Sequence, residues 1–370
     1  MMDSRKLAEA GKWAPQGVTM RTRTDAKTWL VTGATGFLGR HLLRELLGRG
    51  DRVRALVRRP PIEPLPAGVE LASGDVLGAE TLDAAVDGCD GVFHLAGRVM
   101  REGQRDQLYA LHVDGTANLL RAMDRVGCRR VVVASTSGTV AVSKSPAVFD
   151  DDAPYSKLSS RWPYYESKVY QEQVATQLGE SLGLEVVLLR PSLLLGPEDY
   201  GRSSTDDVRR YIRGEFPVVP GGGLSFLDVR DCAATFARAM TLAPAGSRYL
   251  LGAANLSVHD FFTLVARIAD VDPPIATVPD RVWRFGVDAI QVAGRMGLIE
   301  RPDRVAMDMA RFYWYADWSR AVAELGHAPR APVQTLEDTI AWLQDYEEPL
   351  PVEGAPGQLL RLPWRSRHTP

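Results

Sequence analysis

Thr28-Trp29-Leu30-Val31-Thr32-Gly33-Ala34-Thr35-Gly36-Phe37-Leu38-Gly39 is the stretch that decides the fold. Residues 28–31 form a short β run, and a glycine-spaced turn then opens an amphipathic helix over 39–47. Residues 52–57 read as a second strand. Gly33 permits the tight turn, Gly36 lets the backbone approach a pyrophosphate, and Gly39 lets helix and strand pack closely. Thr35, Phe37 and Leu38 fill the turn between these glycines and are assigned with them to phosphate binding, where the helix start offers free N–H groups. Glycine triplets are common, so the flanking strand, helix and strand carry the assignment.

Outward from this turn the alternation continues. Residues 69–71, 92–95, 130–135 and 185–189 read as strands, and 81–86, 114–126 and 165–182 as helices. Such alternation predicts right-handed crossovers and a Rossmann-type α/β fold, a doubly wound parallel sheet over residues 28–197 completed by about 225–257. Continuous apolar runs such as Val131-Val132-Val133 suit strands covered on both faces. After Pro191 the rhythm changes. Residues 198–224 are polar and rich in Gly and Arg, 226–240 return to an amphipathic pattern, and 248–251 suit one more strand. Residues 258–345 are mainly helical and aromatic-rich, so 198–224 and 258–345 are expected to form a smaller substrate-binding lobe. Residues 1–27 read as a flexible extension and 346–370 as a loose tail.

The second strand ends at Val57, where an acidic residue would hold a free ribose 2′-hydroxyl. Arg58-Arg59 stand there instead. A guanidinium favours a 2′-phosphate, so the reading is NADP(H) in preference to NAD(H), against the alternative of solvated surface charge. Asp75 and Val76 follow the third strand and suit the adenine; Leu95, Ala96 and Gly97 follow the fourth and suit the ribose side. Both stretches also suit ordinary strand-end packing.

Tyr164 and Lys168 share one face at the start of a helix, and Ala134-Ser135-Thr136-Ser137-Gly138-Thr139 ends the fifth strand. A phenol titrates near pH 10, so to exchange a proton at neutral pH it needs a cation that stabilises phenolate. Lysine supplies that cation and rotatable donors for a ribose, while a Ser or Thr hydroxyl holds the substrate oxygen.

These motifs together resemble the extended short-chain dehydrogenase/reductases. Thr32–Gly39 matches TGxxGxxG, Tyr164 to Lys168 matches YxxxK, and Arg190-Pro191-Ser192 with Gly196-Pro197 matches the stretch after the sixth strand. Phe226-Leu227-Asp228-Val229-Arg230-Asp231 resembles the segment leading back to the core. The resemblance implies Tyr164 as acid/base, Lys168 lowering its pKa and binding ribose, and Thr136 orienting the substrate with Ser135 and Ser137 as understudies. It puts Pro191 and Ser192 beside the nicotinamide, and it alone implies a homodimer. One departure is His112, where the family usually has Asn; it is read as a structural replacement.

Arg58, the run Ser137-Gly138-Thr139-Val140 and the aromatic Tyr313-Trp314-Tyr315 favour the branch resembling dihydroflavonol 4-reductase and 3β-hydroxysteroid dehydrogenase. That branch implies reduction of a ketone, or oxidation of its alcohol, on a hydrophobic small molecule. One alternative is a nucleotide-sugar epimerase or dehydratase, for which Arg202, Arg209, Arg210 and Arg213 would clasp a diphosphate. A second is a non-catalytic NADP-binding redox sensor. Residues 282–298 suit a lid or packing helix better than a dimer face or membrane-surface helix, because their polar face carries few basic residues.

Composition narrows the partners. The 370 residues carry 44 basic and 46 acidic side chains, a net charge of −2 that leaves no footprint for nucleic acid. Cys89, Cys128 and Cys232 are too few and too scattered for a disulfide framework or a zinc site, so no metal is expected. No apolar run approaches the roughly 20 residues of a spanning helix, and the polar start lacks the apolar stretch of a signal peptide, so a cytoplasmic protein without an integral membrane segment is expected. Only Lys6, Lys12, Lys27, Lys144, Lys157 and Lys168 are lysines; the other basic residues are arginines.

Overall fold

The computed structural model describes residues 26–99, 105–296 and 303–346. All but residues 26, 27 and 346 of the two expected loose ends lie outside this range. The first half alternates strand and helix: β1 (Thr28–Thr32), α1 (Phe37–Gly48), β2 (Arg52–Val57), β3 (Val69–Ser73), α2 (Leu82–Val86) and β4 (Gly91–His94). Next come α3 (Arg105–Tyr109), a π-helical turn (Ala110–Asp114), α4 (Gly115–Val126), β5 (Arg130–Ala134) and the short β6 (Val148–Phe149). α5 (Pro163–Leu182) begins on a proline, whose missing N–H costs nothing at a helix start, and leads into β7 (Glu185–Pro191).

Seven strands form one parallel sheet in the order β11-β7-β5-β4-β1-β2-β3, with β11 at Arg248–Leu251. Val31 pairs with Ala55 on one side and Phe93 on the other. Alternate side chains feed two cores, which explains the unbroken apolar runs. Val132, Val187 and Leu189 join Leu42, Leu46 and Phe236 on one face. Val131, Val133, Val186 and Leu188 join Leu120, Met123 and Ala175 on the other. The strand order reverses between β1 and β4, and in such sheets ligands bind beyond the carboxyl ends of the strands at this switch point.

The second half contains more sheet than its sequence pattern suggests. It runs β8 (Leu193–Leu195), α6 (Asp206–Ile212), β9 (Val218–Pro220), β10 (Gly223–Asp228) and α7 (Val229–Leu242). β11, β12 (Ala254–Ser257), α8 (Val258–Ala269), β13 (Ala276–Val278), α9 (Asp280–Arg295) and α10 (Arg304–Met309) follow. The last elements are β14 (Tyr315–Ala316), α11 (Ser319–Leu325) and α12 (Pro332–Asp345). β10 lies between β8 and β12 in a three-stranded sheet. The amphipathic pattern read from residue 226 is therefore two things: Phe226–Asp228 ends a strand, and the helix starts at Val229 because Asp228 caps it by accepting from Arg230 N–H. Phe226, Phe261, Phe262 and Leu336 build a third core here. Among the described residues no helix is long and apolar enough to cross a membrane.

Candidate active site

Every stretch singled out for cofactor binding leaves the carboxyl end of a strand in the large sheet. Gly33 to Gly39 follow β1, Arg58 follows β2, Asp75 and Val76 follow β3, and Leu95, Ala96 and Gly97 follow β4. Thr136 follows β5, Pro191 ends β7 and Ser192 succeeds it. These residues, apart from buried Ala34, line one cleft of about 4330 Å³ together with Tyr164 and Lys168. A single small-molecule pocket spans about 300–1,000 Å³, so this cleft has room for two ligands.

The glycine turn is built for an anion. Gly33 has φ +68°, and a Cβ there would sit 2.7 Å from the Leu95 carbonyl. A Cβ on Gly39 would collide with Gly33 O and the Ala34 backbone. No side chain caps α1 at Gly36 and no acidic residue occupies its first turn, which leaves those N–H groups to a phosphate. Thr35 and Gly36 are exposed there, beside half-buried Phe37 and Leu38. These features fit a dinucleotide pyrophosphate.

Arg58 and Arg59 stand exposed at the cleft. Arg40, also in its lining, is committed elsewhere: its Nη1 donates to Pro64 O at 2.8 Å and its Nη2 to Glu63 O at 2.7 Å. Asp75 is tied into a turn by accepting from Leu77 N–H at 3.0 Å, and the Val76 carbonyl accepts from Asn118 Nδ2 at 3.1 Å. Ser192 is buried, and its hydroxyl donates to Leu251 O at 2.6 Å.

Thr136 Oγ1 accepts from Gly138 N–H at 3.3 Å, which leaves its own hydrogen for another acceptor. Ser135 is not equivalent, because its hydroxyl donates to Glu172 at 2.5 Å. Glu172 is fully buried and pairs with buried Arg190, Oε2 to Nη2 at 2.6 Å, beneath this loop. Ser137 is buried and lines the cleft.

Half-buried Tyr164 meets the His112 ring edge to face at 5.7 Å. Burial, reinforced by Tyr165, pushes its phenol well above the ordinary range. Burial also pulls the Lys168 ammonium down to about 8, opposed by Glu172. Its Nζ donates to Ala134 O at 2.9 Å and Gln171 Oε1 at 2.8 Å. His112 is buried in the π-helical turn, a geometry that recurs at functional sites. It accepts from Arg98 N–H through Nε2 at 3.2 Å, so Nδ1 carries the proton and donates to Ser167 Oγ at 2.8 Å. Ser167 in turn donates to Tyr164 O at 2.7 Å.

The sequence reading missed Ser167, Gln171 and Glu172, although a signal was present. They share the inward face of α5 with Lys168, Ala175 and Gly179, a buried stripe at helical spacing that is polar instead of apolar. The aromatic segment divides between core and cleft: Phe312 is buried against Trp162 at 5.1 Å, whereas Trp314 reaches the cleft and lies 4.9 Å from Tyr165. Trp283 and Ile290 of α9 also line the cleft. The three cysteines are buried, with Cys128 pushed up to about 11 by desolvation. Among the described residues no group of three or more His, Cys, Asp or Glu is placed to hold a metal ion.

Known proteins share this arrangement. The sequence model of the NAD dependent epimerase/dehydratase family matches residues 29–252. The chain is 32% identical over 339 residues to a Synechocystis sp. protein provisionally named dihydroflavonol 4-reductase, covering 87% of this chain and 96% of that one. It is 29% identical over 329 residues to Sterol demethylase protein B of Methylococcus capsulatus, covering 86% and 98%. The crystal structure of gox2253 superposes with a TM-score of 0.75 at 29% identity, covering 86% of this chain and 98% of that one. The chain therefore belongs to the NAD dependent epimerase/dehydratase family, within the extended short-chain dehydrogenase/reductases, a superfamily of NAD(P)-dependent oxidoreductase enzymes.

Proposed function

We propose that the protein is an NADP(H)-dependent reductase that converts a ketone on a hydrophobic small molecule to its alcohol, or runs the reverse oxidation. The observation that carries this reading is the convergence of Thr136, Tyr164 and Lys168 on the cleft that also holds the glycine turn. The relatives named for dihydroflavonol and sterol chemistry support the substrate class. So do the apolar Trp283, Ile290, Met309 and Trp314 in the cleft wall, with α9 serving as a side of the substrate pocket.

When bound, the nicotinamide cofactor supplies or accepts the hydride. The chain's own groups handle the proton. Thr136 donates its free hydroxyl hydrogen to the substrate oxygen and fixes its direction. Tyr164 gives its proton to that oxygen in the reductive direction and takes one from the alcohol in the reverse. Lys168 holds positive charge beside the phenol and offers its remaining N–H to the ribose. Gly33, Thr35, Gly36, Phe37, Leu38 and Gly39 cradle the pyrophosphate, and Arg58 takes the 2′-phosphate because Arg40 is already occupied. Asp75 and Val76 border the adenine, while Leu95, Ala96, Gly97, Pro191 and Ser192 border the nicotinamide side.

The nucleotide-sugar alternative draws on Arg202, Arg209, Arg210 and Arg213 in the cleft lining. Arg209 is paired with Asp206 at 2.7 Å and Arg210 with Glu215 at 2.7 Å, so a diphosphate clasp would first have to break these pairs. The test is a panel of ketones and alcohols with NADPH and NADP, followed by nicotinamide absorbance, beside a panel of nucleotide sugars. Ketone-dependent NADPH oxidation that Tyr164→Phe lowers by about 100-fold or more is expected. Turnover of sugars alone without net cofactor change, or near-normal turnover by Tyr164→Phe, would overturn the reading.

A further inference from the structure

The buried polar atoms behind Lys168 form one network whose hydrogen-bond directions follow from chemistry. An ammonium accepts nothing, so the amide oxygen of Gln171 must face Lys168 and its nitrogen must turn away. That nitrogen donates to Thr116 Oγ1 at 3.0 Å. The Thr116 hydrogen is itself donated to His112 O at 2.6 Å. His94 Nε2, 2.9 Å from the same Thr116 oxygen, must therefore carry a proton. His94 Nδ1 is then left to accept from the Thr32 hydroxyl at 2.8 Å, and Thr32 Oγ1 receives Ala96 N–H at 3.1 Å. Gln171, Thr116 and Thr32 are fully buried and His94 nearly so. The chain of bonds runs from the first residue of the glycine turn, through β4 and α4, to the lysine.

We propose that Gln171 is a positioning residue for Lys168: backed by Thr116, His94 and Thr32, its amide oxygen sets where the ammonium stands and ties it to the head of the glycine turn. An apolar side chain at position 171 would leave both its bond to Lys168 and its bond to Thr116 unmade, whereas a glutamate would keep the acceptor for Lys168 and lose only the donor to Thr116. A buried ammonium with one acceptor fewer is destabilised in its charged form, and one facing a carboxylate is stabilised. The titratable groups that act on Lys168 or feel its charge are Glu172 on its own helix, His94 from β4 and His112 from the π-helical turn, whose ring also meets Tyr164. Both histidines are driven far below neutrality by burial, so they stay uncharged while the lysine titrates.

The proposal rests on Lys168 as the catalytic cation, and its test reads the lysine without turnover, so the two ideas fail separately. With six lysines in the chain, ¹³Cε-lysine labelling gives a sparse NMR spectrum in which Lys168 is assigned through Lys168→Met. The wild-type midpoint is expected near 8. Gln171→Leu should lower it and Gln171→Glu raise it, each by about one unit, while Thr116→Val moves it in the same direction as Gln171→Leu. The glutamate variant preserves shape, so a folding failure of the leucine variant leaves the test intact. A Lys168 midpoint that stays at the wild-type value in Gln171→Glu overturns the proposal.

Discussion

Replacing Glu172 with Gln should destabilise the protein more than any exposed ion-pair change. The carboxylate is fully buried and Arg190 is 1% exposed, with three N–O contacts between them at 2.6, 3.0 and 3.2 Å. Ser135 and Thr139 add hydroxyl donors at 2.5 and 3.1 Å, and Arg190 Nη1 reaches Asp151 O at 3.1 Å. Arginine cannot shed its proton, so Glu172→Gln leaves a buried positive charge facing a neutral amide. Removing one partner of such a pair costs about 3–5 kcal/mol, and the surviving amide oxygen still serves a hydroxyl, so about 3 kcal/mol is expected. Replacing both charges together, Glu172→Met with Arg190→Met, should cost less than the two single changes summed, because neither charge is then stranded. Equilibrium urea unfolding of wild type, Glu172→Gln, the two single Met variants and the double variant measures all five proteins through their midpoints. A loss under about 1 kcal/mol for Glu172→Gln, or strict additivity in the double variant, would refute the argument that the pair is locked by desolvation.

Two further outcomes follow from the site. Arg58→Ala should raise KM for NADPH by about 10- to 100-fold, the worth of a charge-assisted contact to phosphate, while leaving KM for NADH nearly unchanged; a clear wild-type preference for NADH would refute the 2′-phosphate assignment. Burial holds the pKa of His94 at about 3, far below the 6.5 of an exposed imidazole, so its contribution to stability is complete above 6.5 and declines as pH falls from there toward 3. At pH 5 that decline amounts to about 2 kcal/mol. Asp151, pushed up to about 6 by burial, works in the opposite sense, so the comparison is between wild type and His94→Gln. Unfolding free energies at pH 7.5 and 5 should fall less in the variant; equal falls would show that His94 accepts a proton in the native state.

The large sheet was legible because its strands are unbroken apolar runs that supply two cores at once, and because the glycine turn marks where the first strand ends. The smaller sheets were not. β8, β9 and β13 span three residues each, too short for a period of two to register, and β10 runs into α7 with no break in apolar character. Tyr164, Lys168 and Thr136 stood out through spacing and chemistry within single elements. The groups that hold them did not, since His94, Thr116 and Gln171 come from three elements and meet only when β4, α4 and α5 pack. The inward face of α5 shows why such shells escape a search for apolar stripes. Its buried positions are Ser167, Lys168, Gln171 and Glu172 before Ala175, so the helix reads as weakly amphipathic although one face is wholly enclosed.

That enclosure explains why residue types around the lysine are not interchangeable. Burial drives His94, His112 and Lys168 alike toward their neutral forms, and each histidine is further lowered by the ammonium beside it. The three groups compete for one positive charge. Lysine starts about four units above histidine, so under uniform desolvation the charge settles on Lys168 and both imidazoles stay neutral. Neutral imidazoles present one donor and one acceptor each, which is what the paths from Thr32 to Gln171 and from Arg98 to Ser167 require. An arginine at position 168 would carry the charge as well, yet its planar fork could not enter the slot bounded by Ala134 O, Gln171 Oε1 and Gly97, where a Cβ alone would come within 3.5 Å of Nζ. In a chain whose basic residues are nearly all arginine, this is a position where a compact ammonium has a geometric reason to remain.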